Sequence, residues 1–238
     1  MKDKTLKSIF LIIIFLVALA FIVKFGGPAT LRLYIETGIG NCQKIPILCM
    51  APEDQIAKQS INKEYLAELL PYNFPQMAIN APKGFTIIKE KITKVYYKKR
   101  RHREQGAVIY LLYQEPNFFV NLFPQVKNQG IKNDYDFLSR TMFAKLNQIK
   151  NLNDAFFVIM KGIFIPDLGD PKNIKMAKFR ILDKQGFINY SLTQSGNYFD
   201  GNIINRQGDF FKVYIKDWKR SLSLEQVLAI LSTVEKTK

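Results

Sequence analysis

The chain has 238 residues, of which 47% are hydrophobic, 13% aromatic and 23% charged. This composition excludes a chain that is disordered throughout and fits one globular domain, alone or with appendages. The net charge of +15 favours an anionic partner such as phospholipid head groups, an acidic envelope polymer, an acidic protein surface or nucleic acid, although a lysine-rich surface can also reflect the base composition of the source.

Residues 1–25 combine a basic head with an apolar run. Three lysines precede fifteen consecutive apolar residues from Ile9 through Phe15 to Val23, and Gly26-Gly27-Pro28 then breaks any helix. A helix over residues 8–23 would measure about 24 Å, slightly less than the roughly 30 Å hydrocarbon core, and the flanking lysines can bridge the difference by snorkelling. We therefore predict a single membrane span.

The apolar run has two interpretations, a cleaved signal peptide or an uncleaved signal anchor. Ala18-Leu19-Ala20 offers a small-x-small cleavage site, but strongly apolar residues follow it, which favours the anchor. The positive-inside rule places the N-terminus in the cytoplasm and the main domain outside it, in an extracytoplasmic or periplasmic location.

Residues 26–82 are predicted to form a neck between the anchor and the domain. "LRLYIETGIG" fits a short helix or strand, and a cysteine loop and a turn at Pro52-Glu53-Asp54 follow it. "INKEYLAELLPYNFPQ" predicts a short helix that stops before Pro71.

The neck contains both cysteines of the chain, Cys42 and Cys49, with six residues between them. This spacing is not that of a CxxC redox motif, and the single histidine, His102, is distant in sequence, which disfavours zinc. Outside the cytoplasm the favoured interpretation is a disulfide, with Pro46 promoting the turn that closes it; free buried thiols and a catalytic pair are the alternatives.

Residues 83–238 are predicted to form the main domain. "GFTIIKEKITKVYYKKR" is strand-like, and "GAVIYLLYQ" and "NFFVNLF" are interpreted as a hairpin. "NDYDFLSRTMFAKLNQIKN" predicts a helix with Asp134 or Asp136 as its N-cap. "AFFVIMKGIFI" and "AKFRILD" follow, separated by the turn-rich "PDLGDPKN".

The last third of the chain predicts a meander and a closing helix. "GFINYSLTQ", "YFDGNIIN" and "DFFKVYIKDW" are joined by glycine-containing turns. In "SLEQVLAILSTVEK", Ser223 and Gln226 can form a capping box ahead of an amphipathic helix. The predicted fold class is α+β: seven or eight mostly antiparallel strands, with two main amphipathic helices packed on one face.

A basic run between two strand-like segments is the main candidate contact surface. It comprises Lys98, Lys99, Arg100, Arg101 and Arg103, with His102 among them. The run fits a solvated hairpin tip, a contact with anionic head groups or an acidic protein, or a nucleic-acid patch in which Tyr96 and Tyr97 stack on bases. An extracytoplasmic location disfavours nucleic acid.

Catalytic candidates are few. Asp167, Asp170 and Asp200 could supply paired carboxylates, but each lies beside glycine or proline, which favours ordinary turns. His102 has no obvious carboxylate to orient it. The sequence contains no GxSxG, HExxH or P-loop motif, so we expect no catalytic residue, metal or cofactor, while membrane-bound enzyme activity stays an open alternative.

Together these features predict a membrane-anchored, extracytoplasmic binding or structural module that contacts membrane lipids and a protein partner within a membrane or envelope complex. The first alternative is a carrier or sensor of an apolar ligand, whose cavity would be lined by Phe118, Phe119, Phe156 and Phe157. A membrane-bound enzyme and a nucleic-acid binder are the remaining alternatives.

Overall fold

The computed structural model describes residues 27–56, 62–89, 107–166, 168–169 and 171–237. Within these ranges the helices are α1 (Pro28–Gly38), α2 (Lys63–Glu68), α3 (Phe118–Leu122), α4 (Asp134–Phe143), α5 (Leu152–Phe164) and α6 (Leu224–Ser232). The strands are β1 (Glu53–Ile56), β2 (Leu70–Asn73), β3 (Ala78–Ala81), β4 (Thr86–Lys89), β5 (Ala107–Gln114), β6 (Ile174–Ile181), β7 (Lys184–Thr193), β8 (Gly196–Ile204) and β9 (Phe210–Asp217).

Seven of the strands form the main sheet, in the order β1-β6-β7-β8-β9-β5-β4. Strands β6 to β9 are an antiparallel meander, and β5 pairs antiparallel with β9. The outermost strands, β1 and β4, run parallel to their neighbours. The protein is thus α+β with a mostly antiparallel sheet, as predicted, and the three predicted meander strands are β7, β8 and β9.

One side of the main sheet, which we call the α6 face, is covered by α6 and by the β2–β3 hairpin. The capping box is present as predicted: Ser223 Oγ accepts from the Gln226 N–H, and Gln226 Oε1 accepts from the Ser223 N–H. The strand residues buried beneath are Ile109, Leu111, Ala177, Phe179, Ile181, Ile188, Phe199, Ile203, Phe211, Val213 and Ile215.

The opposite side, the α5 face, is covered by α3, α4 and α5. Its core is aromatic: the ring of Phe119 lies 5.3 Å from that of Phe137 and 4.9 Å from that of Phe210. The prediction of two main helices on one face was therefore wrong, because helices cover both faces and α5 is a third long helix. The strands supply apolar side chains in both directions, so each face needs its own cover.

The segment "NFFVNLF" was predicted as a strand and is instead helix α3. The buried carboxylate of Asp134, on α4, accepts hydrogen bonds from the N–H groups of Phe119 (2.9 Å) and Val120 (3.2 Å). Burial raises the pKa of Asp134, and the hydrogen bonds from the α3 backbone oppose that rise. A side chain distant in sequence thus satisfies N–H groups that a short helix leaves unpaired.

Helices α4 and α5 begin at asparagines. Asn133 Oδ1 accepts from the Asp136 N–H, and Asn151 Oδ1 accepts from the Asp154 N–H. The predicted N-cap of α4 at Asp134 or Asp136 was therefore wrong, because the cap is Asn133, one residue before Asp134. The helix predicted across residues 134–149 ends at Phe143, and a 3₁₀ turn at Leu146–Gln148 follows.

Helix α1 and the cysteine loop pack against α5 in a third apolar cluster, where Leu31, Ile35 and Leu48 meet Val158. Strand β1, from the predicted neck, is an edge strand of the main sheet and replaces the turn expected at Pro52-Glu53-Asp54. In the part of the chain that the structure describes, no helix combines the length and apolar character needed to cross a bilayer. The predicted span at residues 1–25 lies outside that part.

Candidate functional site

Several predicted site residues lie outside the described ranges and stay predictions. They are the span residues Ile9, Phe15 and Val23, the basic run with Lys98, Lys99, Arg100, Arg101 and Arg103, the neighbouring His102, and the acidic pair Asp167 and Asp170.

The predicted disulfide between Cys42 and Cys49 is present, with a Cα–Cα distance of 5.7 Å. Local turn chemistry brings the two cysteines together. The Asn41 side chain accepts hydrogen bonds from the backbone N–H groups of Gln43 and Lys44, and a 3₁₀ turn at Pro46–Leu48 leads back to Cys49. The loop is anchored in the core through Leu48, which is fully buried.

Lys161, in the last turn of α5, has no exposed surface. Its Nζ donates to the carbonyl oxygens of Met50 (2.6 Å) and Ala144 (2.9 Å), so it ties the end of the disulfide loop to the end of α4. Burial, with a smaller contribution from the charge of Lys145, lowers the pKa of Lys161 to about 7. This lysine was not singled out from the sequence; its position inside the apolar run "FFVIMKGIFI" was the available signal.

Asp200 was predicted to lie in a turn and is instead in the middle of β8, fully buried on the α5 face. Its Oδ1 lies 3.0 Å from Lys212 Nζ, and its Oδ2 accepts from the side-chain amides of Asn189 and Asn202, both at 3.1 Å. Lys212 also donates to the carbonyl of Phe164, the last residue of α5, where a helix favours positive charge.

This polar network holds β7, β8 and β9 against the end of α5. The carboxylate of Asp200 has no exposed surface, and its oxygens are already bonded to the side chains of Asn189, Asn202 and Lys212. A substrate therefore cannot contact it in this conformation. The arrangement fits a structural role in fixing how α5 sits on the sheet.

A cleft of about 640 Å³ opens where α1, α4 and the start of α5 meet. It is lined by Arg32, Arg140, Phe143, Ala144, Lys145, Asn147, Gln148, Lys150, Asn151, Asp154 and Phe157. We call this feature the cationic cleft.

Two arginines build the walls of the cationic cleft. Arg32, on α1, donates from Nε (3.2 Å) and Nη2 (2.8 Å) to the carbonyl oxygen of Ile149, which joins α1 to the segment before α5. Arg140, near the end of α4, pairs with Asp154 through Nη2 at 2.9 Å. Its guanidinium also lies 5.9 Å from the ring centre of Phe157, which is fully buried beneath it.

The lining carries four cationic side chains and one carboxylate, which gives a formal net charge of +3 (four minus one). The carboxylate, Asp154, is already engaged, because Oδ1 pairs with Arg140 and Oδ2 accepts the backbone N–H of Lys150 at 3.0 Å. Among the described residues, the ammonium groups of Lys145 and Lys150 form no ion pair. Within the part of the chain that the structure describes, the cleft therefore presents more positive charge than its one carboxylate offsets.

A smaller cleft of about 300 Å³ lies beside the disulfide loop, and its lining is mostly apolar, including Ile39, Ile45, Ile165 and Leu168. The phenylalanines predicted to line an apolar cavity pack against each other instead. Ring centres are 5.2 Å apart for Phe118 and Phe119 and 5.1 Å apart for Phe156 and Phe157. Of these four, only Phe157 lines either cleft.

The cationic cleft was not found from the sequence. Its charges come from α1, from α4 and from the segment between α4 and α5, and Arg32 is separated from the others by more than 100 positions. The two lysines in "AKLNQIKN" were visible, but nothing local indicated that Arg32 would join them. Comparison of the chain with protein-family models, with curated proteins and with solved structures found no significant match.

Proposed function

We propose that the protein is a single-pass, membrane-anchored binding or structural module whose folded domain lies outside the cytoplasm, as a subunit or accessory factor of a membrane or envelope complex. The observation that carries this proposal is the Cys42–Cys49 disulfide. Disulfides persist in oxidising compartments and are rare where glutathione and thioredoxin keep thiols reduced.

Two further features support the proposal. The disulfide loop follows the fifteen-residue apolar run by fewer than 20 positions, so a bilayer anchor and an oxidised loop would lie close together in the chain. The cationic cleft presents fixed positive charge, which supports binding of an anionic partner. The polar network around Asp200, in contrast, is closed.

Thiol labelling of intact cells tests the location of the domain. We expect a membrane-impermeant maleimide to label the full-length protein at two positions after reduction and at none before it. The Cys42→Ser/Cys49→Ser variant is the matched control and takes no label in either state. Labelling that needs cell lysis but no reduction would place the loop in the cytoplasm and overturn the proposal.

Crosslinking in intact membranes, followed by mass spectrometry, tests the role in a complex. We expect reproducible crosslinks from exposed lysines of the folded domain, outside the cationic cleft, to one partner protein. A protein that leaves solubilised membranes as a lone monomer, with no crosslinked partner, would count against a subunit role.

A second candidate function is transport or sensing of an apolar ligand, favoured by the apolar cleft of about 300 Å³ beside the disulfide loop. Gly162 lines this cleft, and a Cβ there would meet Leu48 at an ordinary 3.5 Å. We expect Gly162→Leu to fill the cleft and abolish binding of the fluorescent probe N-phenylnaphthylamine, whereas Gly162→Ala retains it. Equal binding by both variants would exclude this cleft as the ligand site.

A further inference from the structure

We propose that the cationic cleft binds the phosphate group of an anionic phospholipid. This inference deepens the proposed function and rests on it for the membrane location of the domain. It assigns the lipid contact to residues of α1, α4 and the segment before α5, which are distinct from the basic run at residues 98–103.

The charge of the cleft fits a phosphate. Lys145 and Lys150 carry ammonium groups that form no ion pair within the described ranges, and the local carboxylate, Asp154, is held by Arg140 and a backbone N–H. Lysine binds phosphate as a point charge with three donors, and arginine adds a fork of N–H groups. The site depends on side-chain cations, because Asn151 and Asp154 already cap the start of α5.

The rim of the cleft fits the apolar part of a lipid. Phe157 lies under Arg140, and Phe143 lines the cleft with 38% of its surface exposed. An exposed apolar ring beside fixed positive charge matches an amphiphile, whereas a free inorganic anion would gain nothing from Phe143. A volume of about 640 Å³ holds a head group and the first part of its acyl chains.

The distance from the predicted anchor is short enough for this contact. Even if the chain from Val23 to Pro28 were fully extended at about 3.5 Å per residue, and α1 rose about 1.5 Å per residue to Arg32, the separation would be at most about 24 Å. The connection is therefore short enough for Arg32 to contact the head-group layer when the cleft faces the membrane.

Competitive lipid binding to the full-length protein tests the proposal. The protein is purified in an uncharged detergent, mixed with equal amounts of phosphatidylglycerol and phosphatidylcholine, and examined by native mass spectrometry. We expect a preference for phosphatidylglycerol that weakens about fivefold for each lysine neutralised, hence about 25-fold in Lys145→Gln/Lys150→Gln. Lys127→Gln/Lys175→Gln is the matched control, since both lysines are exposed and lie outside the cleft.

The outcomes separate the alternatives. Loss of the preference in the cleft variant but not in the control supports the proposal, and an unchanged preference in the cleft variant overturns it. Displacement of the lipid by millimolar inorganic phosphate would indicate a free phosphate site and would also overturn it. The detergent measurement does not depend on topology, so a failure of the proposed location appears in the thiol labelling alone.

Discussion

Strands β5 to β9 present different side chains to the two sides of the main sheet. On the α6 face, the centre is occupied by aliphatic and phenylalanine side chains, and the buried polar residues Asn197 and Asp217 lie at the end of the strands, where they bond to Leu222. On the α5 face, Phe187 and Phe210 lie near the aromatic cluster, but the same strands also bury Asn189, Asp200 and Asn202 with Lys212 at their side. The centre of the α6 face is held by apolar packing, and the centre of the α5 face by packing combined with a charged network.

This difference indicates how strictly each face fixes the position of the helix packed on it. Apolar packing tolerates many arrangements of similar volume, so the stability of the centre of the α6 face depends mainly on the apolar area that is buried there. A buried carboxylate with three partners has few alternative arrangements, because every misplacement leaves a desolvated polar group unpaired. We therefore expect the α5 face to fix the position of α5, and with it the geometry of the cationic cleft.

The largest expected effect is on the α6 face. Phe199→Ala removes a fully buried ring next in sequence to Asp200, and we expect a loss of about 3 to 5 kcal/mol in the free energy of unfolding. Urea denaturation measures it. Leu192→Ala, at a side chain 51% exposed, is the control and should change stability by less than about 0.5 kcal/mol. Equal effects of the two variants would contradict the assigned burial.

The next effect tests the charged network. Lys212→Met leaves the Asp200 carboxylate buried without its cation, and we expect a loss of about 3 kcal/mol. Adding Asp200→Asn removes the stranded charge and should recover most of that loss, because a neutral network needs no counter-charge. If the double variant is as unstable as Lys212→Met alone, the loss comes from altered packing and not from an unpaired buried charge. Both are read by the same denaturation.

Lys161 gives a pH-dependent difference. Its pKa is lowered to about 7 in the folded protein, so between pH 7 and about 10 the unfolded chain binds more protons at this residue than the folded one. The contribution of Lys161 to stability should therefore rise with pH in this window, by up to about 1.4 kcal/mol per pH unit, and stay constant below pH 7.

Comparison with Lys161→Met isolates this effect from other titrating groups. We expect the difference in unfolding free energy between wild type and variant to change across pH 7 to 10 in favour of the wild type. A difference independent of pH would mean that Lys161 titrates at its ordinary value, despite its burial.

The smallest expected effect on stability comes from removing a helix N-cap, and each face offers one cap to test. Ser223→Ala on α6 and Asn133→Ala on α4 each remove an oxygen that accepts a backbone N–H, and we expect each to cost about 1 kcal/mol. Replacement by glycine should cost only a few tenths. Thermal denaturation can detect these changes, and a glycine variant as unstable as the alanine variant would argue against the cap as the cause.

Features set by short-range patterns could be predicted from the sequence. The meander strands follow from alternating side chains and glycine turns, the Ser223 cap from its partner three residues later, and the disulfide from a short loop containing proline. The cap of α5 was equally local, since Asn151 precedes Asp154 by three positions, and could have been found.

Features set by distant residues could not be predicted in the same way. Helix α3 depends on Asp134, 15 positions from the N–H group that it accepts, and no periodicity within "NFFVNLF" reveals that contact. Asp200 precedes Gly201, which is typical of a turn. Its carboxylate can be buried in the sheet because it pairs with Lys212 on the neighbouring strand β9, a contact that the sequence does not reveal. The cationic cleft is the extreme case, because Arg32 joins it across more than 100 positions.

The disulfide loop also has a mechanical consequence. If a membrane tether pulls on the N-terminal end of the chain, the seven steps from Cys42 to Cys49 could extend to about 24 Å without the crosslink, whereas the disulfide holds the two Cα atoms 5.7 Å apart. Tension is therefore transmitted past the loop without lengthening it and reaches β1 at the edge of the sheet. In single-molecule pulling, reduction should add about 18 Å of contour length to the first rupture.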